Sequence, residues 1–258
     1  MKKYISNFLK YRELLAELVV RDIKLKYRRS ILGIFWSLLN PLLMMIVLTI
    51  VFSNLFKTNI PNFPVYLLTG RIIFDYYSQA SRSAMDSIVS NSALIKKVYV
   101  PKYIFPLAKS LSAFVNLLFS LLAIVIVLFF TKVKISWTIL LFPLPLIYIL
   151  LFATGIGLIL AAYTVFFRDI IHLYNVVLTA WMYFTPLFYP VEIIPDKYKI
   201  FIILNPLYYI IESFRQIILN EHILILSTHL ISIFISVVVF IIGLIVFYRK
   251  QDKFILYI

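Results

Sequence analysis

Long apolar runs alternate with short polar stretches along the whole chain, and this pattern predicts membrane-spanning helices. A helix rises 1.5 Å per residue, so about 20 apolar residues cross the roughly 30 Å hydrocarbon core of a bilayer. The predicted spans are 31–56, 63–89, 104–130, 137–167, 171–190 and 223–247. We therefore expect an all-α integral membrane protein with six transmembrane helices in a single transmembrane domain, 1–258.

The second predicted span carries four ionisable residues, Arg71, Asp75, Arg82 and Asp86, on one helical face. Ionisable groups inside a span face protein or water and are usually paired. Nine basic residues precede residue 30, and lysines recur within 91–103, so both regions are predicted to be cytoplasmic and the chain must cross between them. We predict ion pairs between Arg71 and Asp75 and between Arg82 and Asp86, each four residues apart.

Residues 8–29 repeat charged positions every three or four residues, with leucine and valine on the opposite face. A basic amphipathic helix of this kind lies in the membrane interface. Its charged face includes Arg21, Lys24 and Arg28. The alternative is a solvated helix packed on another domain, which is disfavoured because a span follows directly.

The stretch 91–103 is short, basic and half apolar, too polar to span a bilayer and too short to fold alone. We interpret it as an amphipathic docking element that the membrane protein offers to a soluble partner. The alternative is an ordinary basic loop between two spans. Its candidate contact residues are Leu94, Ile95, Lys96, Lys97, Val98, Tyr99, Pro101 and Lys102.

Three apolar runs follow residue 170, but the basic residues at the end of the chain require an even number of crossings. Prolines and charged residues interrupt the middle run, 192–219. We predict that this segment is re-entrant: it dips into the outer leaflet and returns, buried in protein. The alternative is an extracellular hairpin on the membrane surface. In the fourth span, Gly155 and Gly157 should let a neighbouring helix approach closely.

Aromatic and charged side chains within the spans are the candidates for a translocation path. Tyr174, Trp181, Phe184 and Phe188 share one face of the fifth span. Aromatic faces stack on the CH surfaces of sugars, which suits a passage for long glycans; the alternative is ordinary helix packing or an interfacial belt. The remaining candidates are Phe35, Trp36, Arg71, Asp75, Tyr76, Tyr77, Arg82 and Asp86.

Composition narrows the function classes. The chain is 63% hydrophobic, carries a formal charge of +14 and has no cysteine. Because the basic residues gather at the ends of apolar runs, they indicate topology and anionic lipid rather than nucleic acid. The glycines form no phosphate-binding loop, and we find no catalytic or metal-binding motif. We therefore expect no catalytic residue, no metal and no cofactor in this chain: it is not an enzyme by itself.

The chain resembles the permease subunits of bacterial ABC transporters that export polysaccharide, the group serving O-antigen, capsule and teichoic acid. The resemblance is carried, over nearly the whole length, by the basic helix running into the first span (LVVRDIKLKYRRSILGIFWSLLNPLL), the loop NSALIKKVYVPKYIFPLAK, FFRDI after the fourth span, and FTPLFYPVEIIPDKYKIFIILNPLYYIIESFRQIIL. A departure is Arg71-Ile-Ile-Phe74, where the family usually has an apolar residue after the glycine.

The resemblance implies a homodimer whose channel lies between the copies, with two copies of a cytoplasmic P-loop ATPase. That partner would bind ATP and magnesium and would contact the N-terminal helix and the loop at 91–103, the coupling helix. The implied substrate is a polysaccharide on undecaprenyl diphosphate, and the implied location is the bacterial plasma membrane, multi-pass, with both termini cytoplasmic. Alternatives are a teichoic acid or capsule exporter of the same type, a polytopic glycosyl or acyl transferase, and an ion-coupled secondary transporter.

Overall fold

The computed structural model describes residues 10–56, 60–133, 136–219 and 225–257, all of them helical or in short connections. Parts of the predicted N-terminal helix and of the predicted sixth span, residues 8–9 and 223–224, lie outside the described residues. The α-helices are α1 Arg12–Tyr27, α2 Trp36–Phe56, α3 Phe63–Ser90, α4 Ser92–Lys97, α5 Ile104–Thr131, α6 Pro143–Thr164, α7 Ile170–Phe184, α8 Asp196–Ile203, α9 Pro206–Ile218 and α10 Leu226–Lys250. Short 3-10 helices lie at Gly33–Phe35, Trp137–Leu141, Val191–Ile193 and Gln251–Leu256.

Four helical stretches among the described residues are long and apolar enough to cross a membrane: Gly33–Phe52, Ile104–Thr131, Trp137–Thr164 and Leu226–Leu256. The 28 residues of α3 are long enough to cross, but the ionisable groups lower its hydropathy. The fold is thus an all-helical integral membrane fold, and α3 is its most polar long helix.

The fifth predicted span is shorter as a helix than the range 171–190. The helix α7 has 15 residues and ends at Phe184, which gives it a length of about 22 Å, less than a bilayer core. It ends there because Pro186 disfavours helical backbone at Thr185, which is extended with ψ of 129°. Residues beyond Thr185 continue as irregular chain into the 3-10 helix at Val191–Ile193.

The polar helix α3 is the centre of the bundle. It packs against α5 and α6, while α6 packs against α10. Its apolar face contributes fully buried side chains such as Leu67, Ile73 and Tyr77 to the main core. One face of α3 can therefore carry charge because the opposite face supplies the packing. By contrast α2 lies at the periphery, with most of its apolar side chains exposed.

The helices α6 and α10 meet backbone to backbone. A Cβ atom added to Gly155 would lie 2.6 Å from the carbonyl oxygen of Val239, and one added to Gly243 would touch the Gly155 backbone. The prediction that Gly155 allows a close helix approach is confirmed. Gly157 is similarly restricted, since its added Cβ would lie 2.7 Å from the Cβ of Ala84 on α3.

Candidate functional site

The predicted docking stretch forms a short amphipathic helix, α4, which we call the docking helix after that prediction. In α4, Ile95 is buried against the bundle, whereas Lys96 and Lys97 are exposed. The next two residues continue this exposed surface: Val98 is exposed and Tyr99 is 93% exposed. The exposed surface beside α4 therefore combines two ammonium groups with the side chains of Val98 and Tyr99.

Other residues predicted for docking make contacts within the chain. The Lys102 ammonium donates to the Gln251 carbonyl oxygen at 2.6 Å and lies 5.8 Å from the Phe254 ring centroid. Burial lowers the pKa of Lys102, while the nearby Asp252 carboxylate opposes that shift. Leu94 and Pro101 are half-buried. The structure therefore assigns Lys102 to holding the loop rather than to its free surface.

The N-terminal helix is tied to the same region by charge. Asp22, which sequence reasoning did not select, pairs with the Lys109 ammonium of α5 at 3.0 Å and with Arg21 at 3.1 Å. Arg21 also donates to Asn91, the residue before α4, at 3.4 Å. Lys24 and Arg28 are exposed. Arg21 thus joins α1 to the start of the docking helix.

Apolar side chains from these elements form a distinct cluster at one end of the bundle. We call it the end cluster. Its buried members are Leu15, Leu18, Ile88, Ile95, Ile104, Phe105, Ala108, Leu158, Ala161, Ala162, Val165, Phe247 and Phe254. It connects α1, α4 and the last residues of α10 to the long helices, so the N-terminal helix, the docking helix and the chain end share one core.

Of the two ion pairs predicted on α3, the structure contains only the one in the N-terminal half of the helix. Arg71 Nε and Asp75 Oδ2 lie 2.9 Å apart, which confirms this pair. The predicted pair of Arg82 with Asp86 is wrong: both side chains are described and exposed, and they form no ion pair. Asp86 instead lies within electrostatic reach of Lys109 on α5.

Half of the aromatic residues predicted for the path lie inside the subunit, which corrects the prediction for four rings. Tyr76, Tyr77, Tyr174 and Phe188 are buried. Their partners are protein groups: the Tyr174 hydroxyl donates to Ser81 at 2.8 Å and to Tyr77 at 3.1 Å. The Phe188 ring stacks on Phe52, and the Tyr76 ring meets Phe114 edge to face. The predicted helical face is therefore only partly formed: α7 ends before Phe188, and packing between helices, which periodicity does not include, buried these four rings.

The four other aromatic candidates differ in exposure and in their contacts. Trp181 is half-buried and donates from Nε1 to the Asn205 side-chain oxygen at 2.8 Å. Phe184 is exposed and lies beside Phe201. Together they line an apolar groove of about 330 Å³ between α7 and α8. Phe35 and Trp36, at the start of the first span, are exposed.

Asn205 fastens the helix pair α8–α9 to the end of α7. Its side-chain oxygen also accepts from the Leu207 backbone nitrogen at 3.0 Å, which caps α9, and its amide donates to Thr185 at 2.9 Å. Every polar atom of this buried side chain is used within the chain. The sequence did contain a signal for this cap, because Asn205 directly precedes Pro206, a pair typical of a helix start.

Arg215 makes a second, stronger attachment that sequence reasoning missed. Its guanidinium is 3% exposed, donates to the carbonyl oxygens of Pro186 at 3.0 Å and Leu187 at 3.4 Å, and stacks 3.5 Å from the Tyr66 ring centroid. A Cβ on Gly70 would lie only 2.7 Å from its terminal nitrogen. The signal was a lone arginine on the face of α9 that is otherwise apolar. This cluster, which we call the arginine latch, joins α3, the segment after α7, and α9.

Long apolar helices around a polar central helix, with the short amphipathic helix α4 exposed at one end, are typical of a polytopic membrane protein. The sequence profile of the ABC-2 type transporter family matches residues 13–219, and the chain belongs to this family. No group of three His, Asp or Glu side chains able to hold a metal ion occurs in the described part of the chain.

Individual relatives agree with this family. The chain is 32% identical over 225 residues to the O-antigen export system permease protein RfbA of Myxococcus xanthus, covering 86% of each chain. It is 30% identical over 212 residues to the RfbA protein of Klebsiella pneumoniae, covering 81% of each chain. It is 22% identical over 232 residues to the polysialic acid transport protein KpsM of Escherichia coli, covering 84% of this chain and 86% of that one.

Proposed function

We propose that this chain is the channel-forming subunit of an ATP-driven exporter that moves undecaprenyl-diphosphate-linked polysaccharide out of the cytoplasm. The observation that carries the proposal is the similarity, over most of both chains, to permeases named for O-antigen export. The higher identity to these proteins than to the polysialic acid transport protein favours an O-antigen-like substrate over a capsule-type polymer. ABC-2 family membership argues against the transferase and secondary-transporter alternatives.

The energy source is a separate P-loop ATPase, two copies of which bind ATP and magnesium. The chain has no phosphate-binding loop of its own. Its docking surface consists of Lys96, Lys97, Val98 and Tyr99, flanked by the exposed basic residues of α1. An exposed tyrosine between ammonium groups suits a partner surface with an apolar pocket and acidic rim.

A second copy of the chain completes the channel. Leu43, Ile46 and Val47 of α2 are exposed, and the charged face of α3 leaves Arg82 and Asp86 exposed within a membrane helix. Such charges need water or a protein partner. A polar passage between two copies supplies both, with Asp75, Arg82 and Asp86 on its wall and Phe35, Trp36 and Phe184 as its accessible rings.

The membrane topology of the proposal has six crossings in the plasma membrane and both termini in the cytoplasm. The central helix α3 is the second crossing, held by its buried face. The fifth crossing combines α7 with the chain up to Tyr189, and the pair α8–α9 re-enters the outer leaflet. Both the arginine latch and Asn205 support re-entry, because they satisfy the polar groups of this segment within protein.

Depletion of the protein tests the proposal directly. We expect lipid-linked glycan to accumulate in the cytoplasmic leaflet. Mass spectrometry of the extracted lipid should identify the undecaprenyl diphosphate and the repeating sugars of this glycan. The control is restoration of the wild-type chain, which should clear the accumulated species. Normal lipid-linked glycan after depletion, with the surface polymer unchanged, would contradict a role in export.

A further inference from the structure

The last described residues of the chain, 251–257, fold back onto the end cluster. We call them the tail segment. Phe254 is 0% exposed, and its ring meets Phe247 at 5.3 Å and Phe166 at 5.9 Å between centroids. Ile95 of the docking helix belongs to the same cluster. The tail segment therefore contributes a central side chain to the core on which the docking helix rests.

A second contact connects the tail segment with the docking loop itself. Lys102 donates to the Gln251 carbonyl oxygen at 2.6 Å and lies over the Phe254 ring. The nearby Asp252 carboxylate attracts the Lys102 ammonium electrostatically. The contact joins positions that are 149 residues apart in the sequence. Val100 and Tyr103, on either side of this lysine, also pack against the end cluster. The loop after α4 is thus attached to the end of the last membrane helix.

The docking helix needs such support because it has only six residues. A helix this short is not stable by itself in water. Its first end is held by Asn91, whose amide donates to the Ser87 carbonyl oxygen at 2.8 Å at the end of α3. Its second end leads into the loop that Lys102 fixes. With both ends attached, a displacement of the docking surface must move α3 and α10 together.

From these contacts we infer that the tail segment is a positioning element for the docking helix, which transmits motion of the bound ATPase to α10. The inference rests on the proposed function, since it assigns a role in coupling to residues outside the docking surface. Phe254 and Lys102 act through α4 and its loop, not by contact with substrate. Loosening them should leave the ATPase bound but reduce the polysaccharide exported per ATP hydrolysed.

The first test uses Phe254→Ala, with Phe254→Leu as the conservative variant that retains most of the buried volume. Leu256→Ala is the matched control, because this neighbouring tail residue is 79% exposed. Each full-length variant is purified with its co-expressed P-loop ATPase, and the amount of bound ATPase, the ATP hydrolysis rate and glycan export are measured. We expect Phe254→Ala to lower export per ATP by about fivefold or more, the lower end of coupling between protein sites. Phe254→Leu should restore most of it, and Leu256→Ala should match the wild type.

The second test covers the case in which Phe254→Ala does not assemble. Lys102→Met keeps the apolar stem but removes the ammonium donor, whereas Lys102→Arg keeps a charged donor. We expect Lys102→Met to bind the ATPase normally and export less per ATP, and Lys102→Arg to restore export.

Three results would overturn the inference: normal export per ATP in both Phe254→Ala and Lys102→Met, equal losses in Leu256→Ala, or loss of ATPase binding in Lys102→Met. The second and third would show that these residues contact the ATPase directly. Failure of the proposed function is distinguishable, because then the wild-type chain would not co-purify with a P-loop ATPase.

Discussion

The arginine latch predicts an unusual response to adding one methyl group. Gly70 lies in the interior of α3, where replacement of glycine by alanine normally stabilises a helix by about 0.5–1 kcal/mol. Here the added Cβ would lie 2.7 Å from a terminal nitrogen of Arg215 and 3.2 Å from a methyl carbon of Leu187. We therefore expect Gly70→Ala to destabilise the protein, so the sign of the effect itself is informative.

The magnitude follows from what the guanidinium must give up in order to move. Its terminal nitrogen donates to the carbonyl oxygens of Tyr66 at 3.3 Å and Leu187 at 3.4 Å, and its plane stacks on the Tyr66 ring. Overpacking a filled site costs about 1–3 kcal/mol. Arg215→Lys retains the charge but removes the planar fork. We expect Gly70→Ala to cost about 2 kcal/mol with arginine present and close to zero with lysine, a coupling within the range for residues in contact.

The assay is a double-mutant cycle on the purified protein, with unfolding measured by titration of SDS into mixed micelles. Gly155→Ala is the matched control, because its added Cβ would meet the backbone of Val239, which Arg215→Lys does not relieve. Its penalty should be the same in both backgrounds. If the Gly70→Ala and Arg215→Lys effects are additive, the guanidinium is not what restricts Gly70, and the reasoning is refuted.

Three further predictions concern the docking surface, the aromatic groove and the topology. Lys96→Glu with Lys97→Glu should reduce co-purification of the ATPase while the amount of membrane-inserted protein is unchanged; equal co-purification would indicate an ordinary loop. Trp181→Leu removes the donor to Asn205 and should lower the amount of folded protein in fluorescence-detected gel filtration, at a cost of about 1–3 kcal/mol; normal folding with a selective loss of export would restore its lining role. Since the chain has no cysteine, Lys197→Cys should react with an impermeant thiol reagent added outside intact cells and Lys97→Cys should not. The reverse labelling would contradict the proposed orientation.

Local periodicity determined much of this protein. Runs of about 20 apolar residues indicated the long helices, because a single helix must satisfy its own backbone groups in lipid. The spacing of four between Arg71 and Asp75 was enough to predict their pair, since both lie on adjacent turns of one helix. The amphipathic pattern of the docking stretch likewise indicated a short helix, although Ile95, predicted as a docking contact, is instead its buried residue. Each of these properties depends on residues within a few turns of one another.

Tertiary packing decided the rest. The same spacing rule failed for Arg82 and Asp86, because it places two side chains on adjacent turns but does not include charges from other helices, such as Lys109 near Asp86. The sequence placed Tyr174 and Phe188 on one helical face, but the helix ends before Phe188, and both rings became core only through their contacts with α3 and α2. The latch from Arg215 to Tyr66 and the hold of Lys102 on Gln251 each join residues 149 positions apart. Helical periodicity carries no information at that separation: such contacts arise when the buried faces of several helices pack together, and their partners are then set by the geometry of the bundle.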